Sequence, residues 1–419
     1  MIIAGAGIGG LTLALSLHQV GIKALVLEAV RTLQPLGVGI NVLPHASREL
    51  SELELDETLA RTGVATTELA YFSKHGKPIW REPRGRHAGY DWPQYSIHRG
   101  RLQAVLLEAA IQRLGPEAFR FGHQLSRWED HGQSIDAICL DRDDGDRLVR
   151  HSGSLLIAAD GIHSTARARL YPNEGPPLWN GAILWRGVSH ATPFLDGRTM
   201  AMIGHGQQKF VTYPITTSEI EQGPALVNWI AELKFAPDHQ WRREDWNRAG
   251  RLDDFLPRFQ DWCFDWLDVP ALIRGARDVF EYPMVDRDPL PCWTHGAMTL
   301  LGDAAHPMYP IGSNGASQAI LDARVLTREL VRHGPGADAL RAYEAERRPA
   351  TAKIVEANRR SGPDEVLDLV EHRAPDGFED IERVLPLRER QAIADRYKQV
   401  AGFDKDALNR RPAIVPGRA

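Results

Sequence analysis

A glycine-rich segment at residues 5–10, Gly5-Ala6-Gly7-Ile8-Gly9-Gly10, is the feature of this sequence that most constrains how the chain can fold. A short apolar strand is predicted before it at 1–4 and a helix after it at 11–20. A second strand is predicted at 23–27 and ends at Glu28. This is the order of a βαβ unit, so the sequence predicts a dinucleotide-binding fold. The alternative is a glycine-rich turn that holds no ligand.

Each small residue of this turn has a physical role in a dinucleotide site. Gly5 permits the tight turn, Gly7 lets the backbone approach a pyrophosphate, and Gly10 lets the helix pack closely on the strand. The N-terminus of the helix that follows directs backbone N–H groups towards the phosphates, and Ile8 and Gly9 of the turn are included in the predicted site. These residues are therefore predicted to bind the ligand.

Glu28 adds an independent signal, because it follows Gly10 by 18 residues, at the end of the second strand. A carboxylate at this place accepts hydrogen bonds from an adenosine ribose. Glu28 therefore favours a dinucleotide with free ribose hydroxyls.

Composition excludes several other classes. The chain has 419 residues, 43% of them hydrophobic, which suggests about two or three domains with a sizeable core. Lys and Arg number 50 against 55 Asp and Glu, and no basic block is present, so nucleic acid is not an expected partner. No metal site is predicted.

The cysteines and the apolar start of the chain bear on its location. Cys139, Cys263 and Cys292 are odd in number and form no C-x-x-C pair, which fits a reducing cytoplasm. Residues 1–22 carry no Lys, Arg, Asp or Glu, but five glycines interrupt them. We expect a buried first strand and helix there, not a signal peptide or a membrane span.

Two later strands are predicted to end in polar turns. The strand at 155–159 precedes Asp160-Gly161, and the strand at 298–301 precedes Gly302-Asp303. An amphipathic helix is predicted at 101–114.

The middle of the chain has a different pattern. Short strands are predicted at 210–215 and 225–230, with a helical stretch around 252–267. Most of the 11 tryptophans lie in this middle part or at Trp80 and Trp92, where they either form the wall of a pocket for a planar substrate or fill a core.

Three motifs together resemble the single-component flavoprotein aromatic hydroxylases of the 4-hydroxybenzoate hydroxylase fold. They are residues 5–10 with Glu28, the segment Asp160-Gly161-Ile162-His163-Ser164-Thr165-Ala166-Arg167, and the segment Gly302-Asp303-Ala304-Ala305-His306-Pro307. They span most of the chain in the family's order. Residues 306–318 and the tail around 358–364 are most similar to the phenazine hydroxylase branch.

The resemblance implies an α/β fold with a Rossmann-like FAD-binding domain, an inserted β-sheet-containing substrate domain and C-terminal helices. We assign 1–70, 98–178 and 283–350 to the discontinuous FAD-binding domain. Residues 71–97 and 179–282 are assigned to the substrate domain, and 351–419 to a C-terminal helical segment.

The resemblance also implies which residues contact FAD. Asp303 accepts hydrogen bonds from ribityl hydroxyls, Arg99 and Leu125 lie at family positions beside the cofactor, and the glycine-rich start of a helix after residue 311 faces the flavin. Asp160 with Gly161 supports both the flavin region and the use of the nicotinamide, and Arg167 holds this segment in place. The alternatives are a helix cap for Asp303, a solvated charge for Arg99 and a structural turn for Asp160. The full predicted set is Gly5, Gly7, Ile8, Gly9, Gly10, Glu28, Arg99, Leu125, Asp160, Asp303, Gly312, Asn314, Gly315 and Ala316.

The activity implied is hydroxylation of an aromatic, fused-ring small molecule with NADPH or NADH and O₂, through a flavin C4a-hydroperoxide. Pro310 is predicted to line the reacting space, and Tyr213 to offer a hydroxyl to the substrate or else to pack within a sheet. His306 is predicted to satisfy local backbone groups and not to act as an acid or base.

Two other functions stay open on the same scaffold. One is an FAD-dependent reductase or oxidase with a non-aromatic substrate, and the other is a flavin-binding regulator. The sequence has no second G-x-G-x-x-G after a strand, no W-x-W-x-I-P segment and no cysteine pair. These absences argue against Baeyer–Villiger enzymes, flavin halogenases and disulfide reductases.

Overall fold

The computed structural model describes residues 1–34, 37–236, 238–239 and 248–416. Strands and helices alternate near both ends of the chain, and strands dominate its middle. The strands are β1 (Ile2–Ala4), β2 (Leu25–Glu28), β3 (Gly39–Val42), β4 (Val64–Thr66), β5 (Glu68–Phe72), β6 (Pro78–Pro83), β7 (Gln94–His98), β8 (Phe119–Phe121), β9 (His123–Asp130), β10 (Ile135–Asp141), β11 (Arg147–Gly153), β12 (Leu156–Ala158), β13 (Leu178–Ala191), β14 (Thr199–His205), β15 (Gln208–Pro214), β16 (Ala225–Lys234), β17 (Cys263–Phe264), β18 (Leu267–Asp268), β19 (Ala276–Asp286), β20 (Thr294–His295) and β21 (Met298–Leu300).

The α-helices are α1 (Ile8–Gln19), α2 (Pro44–Ser51), α3 (Asp56–Thr62), α4 (Arg99–Leu114), α5 (Thr165–Leu170), α6 (Ser218–Glu221), α7 (Leu252–Phe255), α8 (Val269–Arg274), α9 (Gly315–His333), α10 (Ala337–Arg359), α11 (Glu365–Arg373), α12 (Ile381–Val384), α13 (Leu387–Ala401) and α14 (Lys405–Arg410). Short 3₁₀ helices lie at Gly85–Ala88, Pro116–Ala118, Leu256–Phe259, Gly302–Ala304, Ile311–Ser313 and Gly362–Asp364.

The first sheet has the strand order β20-β21-β12-β1-β2-β8. Ile2 pairs in parallel with Leu156 on one side and with Leu25 on the other. The apolar runs of these strands are buried in one core, to which two groups of elements contribute. Helix α1 contacts both α4 and α9, and the three form one layer, while the three-stranded sheet β9–β11 adds side chains such as Leu125 and Ile135. The strands predicted around the glycine turn and before both polar turns are all present, which confirms the α/β fold.

The second large sheet has the order β19-β13-β16-β15-β14-β5-β6 and is antiparallel except between β14 and β5. Side chains alternate between its two faces. The outer face carries Trp185 and Trp229, which both pack on Phe255. We call the opposite face, which carries Leu184 and Arg186 of β13, the inner face.

The tryptophans of this part fill the core. Trp185 and Trp229 lie in the outer-face core, and Trp293 is buried beneath the first sheet. Trp241 and Trp246 lie outside the described residues. Of the two interpretations that the sequence left open, core filling is therefore the one that holds for these three tryptophans.

The helical stretch predicted around 252–267 is only partly present. Helix α7 gives way to a 3₁₀ helix that contains Pro257, and the strands β17 and β18 then form a small hairpin. Proline interrupts the helix because it lacks the N–H that the next turn needs. The apolar residues of the segment, Phe255, Phe259 and Trp262, still face the core.

The division into domains stays a prediction. Its boundary at residue 70 falls within β5, and its boundary at residue 350 falls within α10. Strand β5 joins the second large sheet from Glu68, and β7 pairs with β3 and β4 in a separate three-stranded sheet. Helices α11 and α13 pack on the inner face of the large sheet. Residues 417–419 of the predicted C-terminal segment lie outside the described residues. Among the described helices, none is both long enough and apolar enough to cross a membrane.

Candidate active site

Two glycines of the turn between β1 and α1 are in close contact with backbone atoms, and a third has no neighbour. Gly5 has φ +111°, and a Cβ added to it would lie 2.3 Å from the carbonyl oxygen of Ala159. A Cβ on Gly10 would lie 2.0 Å from the carbonyl oxygen of Gly5. A Cβ on Gly7 would meet no atom within 4 Å. Packing therefore requires glycine at residues 5 and 10. Gly7 instead borders empty space in front of the N-terminus of α1.

Glu28 is held against this turn from the end of β2. One carboxylate oxygen accepts a hydrogen bond from the backbone N–H of Ala6 at 2.8 Å, and the other from the N–H of Val30 at 3.0 Å. The Gln103 side chain donates to the Ala6 carbonyl oxygen at 2.8 Å. The carboxylate therefore lies beside the glycine turn, as predicted for a ribose-binding acid.

The two kinds of glycine can be separated by alanine substitution. We expect Gly7→Ala to change the free energy of unfolding by less than about 1 kcal/mol, because the new methyl group meets open space. The affinity of the Gly7→Ala variant for FAD should fall roughly ten- to a hundredfold, because the methyl group would collide with a ligand that packs closely on this residue. Gly10→Ala should instead lose about 1–3 kcal/mol of stability.

Urea denaturation of the FAD-free protein and titration with FAD measure the two effects. Equal losses of stability in both variants would contradict the assignment of Gly7 to the ligand.

Asp160 follows β12 at the same edge of the sheet. One of its oxygens accepts a hydrogen bond from the backbone N–H of Ala166 at 3.3 Å. The other oxygen is buried and has no partner among the described residues, and burial raises the pKa of this carboxyl. An unpartnered buried acceptor is consistent with a ligand donor at this place.

Arg167 joins the second motif to the third. Its guanidinium is buried and donates to the carbonyl oxygens of Ala304 and Ala305 at 3.2 and 2.9 Å. It also pairs with Glu174, and Ser164 caps its helix by accepting from the Arg167 N–H at 2.9 Å. The predicted holding role of Arg167 is confirmed by these contacts.

Asp303 lies in a recess. The residue as a whole is exposed to solvent. Protein atoms nevertheless surround its carboxyl group, and the resulting desolvation raises the pKa of that group. A Cβ on Gly315 would lie 3.9 Å from one Asp303 oxygen, so the carboxylate faces the start of α9. It makes no hydrogen bond to any described residue. The Arg99 guanidinium at the start of α4 is near enough to oppose the rise in pKa.

The loop between Tyr309 and α9 turns sharply. Pro310 is exposed, and Gly312 has φ +68°. A Cβ on Gly312 would lie 2.0 Å from the hydroxyl oxygen of Tyr397, which requires glycine here. Gly315 and Ala316 are partly exposed at the start of α9.

Asn314 is engaged within the protein. Its side-chain NH₂ donates to the Tyr397 hydroxyl at 2.9 Å and to the Gly312 carbonyl oxygen at 3.2 Å. The Tyr397 hydroxyl lies 2.9 Å from the side-chain oxygen of Asn358, whose NH₂ donates to the Tyr309 carbonyl oxygen at 3.1 Å. The C-terminal helices α10 and α13 therefore hold the loop in place, and the sequence motifs do not indicate this.

His306 has a carboxylate partner. Its Nε2 lies 2.5 Å from an oxygen of Asp322, which also accepts from the backbone N–H of Gly302 at 3.1 Å. Arg347 donates to the other Asp322 oxygen at 2.7 Å. The prediction that His306 satisfies backbone groups is wrong, because its partner is this buried carboxylate on α9. The network fixes the turn that carries Asp303.

Leu125 is 4% exposed and lies on β9, where it pairs with Cys139 of β10. Its side chain belongs to the main core. Backbone contact between Leu125 and an adenine stays a prediction.

Tyr213 lies on the inner face of the large sheet and is 2% exposed. Its hydroxyl interacts with the guanidinium of Arg186, and burial raises the pKa of Tyr213 to about 12 while Arg186 opposes the shift. Arg186 donates to the Gly39 carbonyl oxygen at 2.9 Å and lies 6.0 Å from the ring centre of Tyr282. Arg186 was not found from the sequence, since an isolated arginine in a strand carries no motif.

Two cavities are bordered by residues 309–314, the segment before α9 that we call the Pro310 loop. One, a narrow cavity, is bordered by Gly312 and Ser313 with Met200 and Met202 of β14. The other, of about 1020 Å³, is bordered by Ile311 and polar side chains of β15, β16 and α11. Both are lined by side chains of the inner face and of the C-terminal helices, so the loop lies where the large sheet and these helices meet.

A cluster of Glu129, His131 and Asp136 has ligand atoms within 4.8 Å of one another. The Arg150 guanidinium pairs with both carboxylates, at 3.2 and 2.5 Å. The positive charge that a metal ion would supply is thus already present as an arginine.

Comparisons with known proteins agree with this geometry. A model of the FAD binding domain family matches residues 1–177 and 287–358. The chain is 46% identical over 361 residues to phenazine 1,6-dicarboxylic acid hydroxylase PhzS of Lysobacter antibioticus, which covers 86% of this chain and 89% of that protein. It is 31% identical over 419 residues to 3-amino-4-hydroxybenzoate 2-monooxygenase PtnB3 of Streptomyces platensis, covering 97% and 96%.

A solved structure, HpxO of Klebsiella pneumoniae complexed with FAD and uric acid, shares the fold. Its TM-score is 0.73 at 21% identity, with 97% of this chain and 96% of that chain covered.

Proposed function

This chain belongs to the FAD-dependent aromatic hydroxylases that carry the FAD binding domain, and we propose that its substrate is a fused-ring, phenazine-like aromatic. NAD(P)H and O₂ are the co-substrates of this family. Hydroxylation consumes NAD(P)H, O₂ and a proton and yields NAD(P)⁺, the hydroxylated ring and water. The observation that carries the proposal is the 46% identity to a phenazine hydroxylase over 86% of the chain.

The residues present fit FAD. The open space at Gly7 suits a pyrophosphate at the α1 N-terminus, and Glu28 lies where a ribose would be bound. The carboxylates of Asp303 and Asp160 each offer an acceptor that no described residue uses. We therefore propose these four residues, with Arg99 and the backbone of Gly315 and Ala316, as the groups that hold the cofactor.

When bound, FAD supplies the redox chemistry that joins NAD(P)H oxidation to O₂ activation. The residues of the chain bind the cofactor and orient the substrate. The Pro310 loop, fixed by Asn314 and Tyr397, presents a preformed surface to the cavities. Leu184, Tyr282 and Met284 of the inner face pack with Tyr309 and Ile311 and make one wall apolar, which favours a flat ring and excludes water. We propose Pro310 and Tyr213 as groups lining the reacting space.

An isotope experiment tests the proposal. The holoenzyme is incubated with NADPH or NADH, ¹⁸O₂ and one aromatic compound at a time, and NAD(P)H consumption and product mass are measured. We expect phenazine-type rings to stimulate consumption and to gain one labelled oxygen, and single-ring benzoates to do so poorly. Stacking on aromatic side chains adds about 0.5–1.5 kcal/mol for each ring pair, which favours the larger ring system.

Two outcomes would count against the proposal in different ways. Labelled single-ring products without turnover of any fused ring would overturn the substrate class. Substrate turnover without label in any product would favour a reductase or oxidase.

A further inference from the structure

Three buried charged side chains join the large sheet to the chain segment that follows α10. Lys209 of β15 lies opposite Glu232 of β16 in the ladder between these strands, and their charged atoms are 3.1 Å apart. The other partner of Lys209 is Asp364, with 2.6 Å between amine and carboxylate. All three side chains are less than one-tenth exposed. Burial lowers the pKa of the Lys209 amine, but Asp364 and Glu232 outweigh burial and raise that pKa above its ordinary value, so Lys209 is a cation.

Burying three charges does not by itself stabilise a fold. Apolar residues of similar size avoid the desolvation of an amine and two carboxylates, and they often give equal or greater stability. An ion pair instead fixes one chain segment relative to another at a defined distance. Asp364 lies in the 3₁₀ helix Gly362–Asp364, outside the sheet. The Lys209–Asp364 pair therefore fixes residues 361–364, which we call the 361–364 segment, against the inner face.

The 361–364 segment is in contact with the Pro310 loop. Ser361 and Gly362 have φ of +69° and +50°, so the chain makes a tight turn there. A Cβ on Gly362 would lie 3.0 Å from Cγ2 of Ile311 and 3.1 Å from a ring carbon of Tyr397. Ile311 therefore packs directly on the backbone of this segment, and the position of the segment sets the position of Ile311.

The same segment separates the two cavities. Pro363 borders the narrow cavity, whereas Ser361 and Asp364 border the larger one together with Ile311. The larger cavity opens to solvent, because three exposed side chains also border it, those of Gln207, Lys234 and His372. Ile311 and the 361–364 segment thus form a partition between a cavity that is open to water and the narrow cavity at the Pro310 loop.

We propose that Lys209 and Asp364 are positioning residues, whose buried ion pair holds this partition closed and keeps water from the reacting space beside Pro310. This inference rests on the proposed hydroxylase function and adds the residues that make it efficient. When water enters, NAD(P)H, O₂ and a proton give NAD(P)⁺ and hydrogen peroxide, and no oxygen reaches the ring. The ion pair therefore sets the share of NAD(P)H that ends in hydroxylated product.

The test replaces Asp364 by asparagine in the FAD-loaded enzyme. The amide keeps the shape of the side chain, and Lys209 retains Glu232 as a partner, so no buried charge is left unpaired. Hydrogen peroxide and product formed per NAD(P)H are measured with an aromatic compound that the wild type hydroxylates. We expect the peroxide share to rise at least about threefold and KM to change less than about twofold, because the variant alters water access and not a contact with the substrate.

Hydrogen exchange gives a readout that does not depend on turnover. The backbone N–H groups of the Pro310 loop and of the 361–364 segment are followed by mass spectrometry in the FAD-loaded enzyme without substrate. In Asp364→Asn both segments should exchange roughly ten- to a hundredfold faster, because a lost charge-assisted hydrogen bond makes local opening easier.

Glu232→Gln is the matched control. Glu232 has the same charge, similar burial and the same partner as Asp364, but it lies within the sheet. Its replacement leaves the Lys209–Asp364 pair intact, so the peroxide share and the exchange rates should stay within about twofold of the wild type. A second variant, Ile311→Ala, opens the partition without changing a buried charge and keeps the proposal testable if Asp364→Asn does not fold. It should raise the peroxide share and leave exchange in the 361–364 segment unchanged.

A wild-type peroxide share in Asp364→Asn or in Ile311→Ala would overturn the proposal. So would equal rises in Asp364→Asn and Glu232→Gln, since any loss of buried charge would then have the same effect. Faster exchange in the 361–364 segment that does not extend to the Pro310 loop would also overturn it. If the wild type forms no labelled product from any aromatic compound, the hydroxylase function fails, whereas the exchange rates still decide whether the ion pair holds the partition.

Discussion

Replacing Asp303 by alanine is expected to weaken FAD binding about ten- to a hundredfold. The Asp303 carboxylate faces the start of α9 and has no hydrogen-bond partner among the described residues, so it is free to accept from ribityl hydroxyls. A hydrogen bond to a charged group contributes about 1.5–3 kcal/mol, which gives the expected range. The dissociation constant is measured by titrating the FAD-free protein with FAD and following the quenching of flavin fluorescence.

Two companion variants make this result specific. Asp303→Asn keeps the shape and should lose less affinity than alanine, since an amide oxygen still accepts. Asp144→Ala removes an exposed carboxylate that pairs with Arg147, and it should bind FAD like the wild type. An unchanged dissociation constant in Asp303→Ala would rule out a direct contact with the cofactor.

Replacing Glu49 by glutamine is expected to lower the free energy of unfolding by about 3–5 kcal/mol. Glu49 of α2 and Arg324 of α9 are both fully buried, with 3.2 Å between their charged atoms. Arg411 near the end of the chain pairs with the other Glu49 oxygen at 3.0 Å. Burial raises the pKa of the Glu49 carboxyl, and Arg324, Arg411 and Arg48 oppose that shift. Removing the negative charge would leave Arg324 buried without its counter-ion.

An exposed pair of the same residue types is the control. Glu57 and Arg61 lie one turn apart on α3, 3.6 Å from each other, with most of both side chains in solvent. Glu57→Gln should change stability by less than about 0.5 kcal/mol, because exposed ion pairs contribute little. Both variants are measured by urea denaturation monitored by circular dichroism. Similar midpoints for the two would show that the buried pair does not stabilise the fold through its charge.

The first βαβ unit was predictable because its signals are local. Gly10 is required by the carbonyl oxygen of Gly5, and Gly5 by its own positive φ. Apolar strands next to such a glycine turn have few other folds open to them. The same holds for the strands before Asp160 and Asp303. Around 252–267 the apolar spacing was typical of a helix. In the structure Pro257 interrupts the helix, and Phe259 and Trp262 pack in the core on the outer face of the large sheet from a 3₁₀ helix and a turn.

The supporting residues of the site could not be predicted in the same way. Tyr397 contacts Asn314 across 83 residues of chain, and Arg186 contacts Gly39 across 147. A tyrosine on an amphipathic helix and an arginine in a strand are common, and neither has a periodicity that indicates its partner. Asn314 shows the converse, because its motif position suggested a cofactor contact while the structure ties its side chain to Tyr397.

By itself the sequence determined the cofactor turn, the acids beside it and the class of fold, because these depend on backbone geometry set by neighbouring residues. Only the tertiary structure decided how the Pro310 loop is held, that Asp322 fixes the turn carrying Asp303, and that Arg186 and Asn228 meet at Gly39. Those contacts depend on how the large sheet and the C-terminal helices pack against the FAD-binding core. Such packing follows from burial of apolar area, which is not directional and therefore leaves no local pattern in the chain.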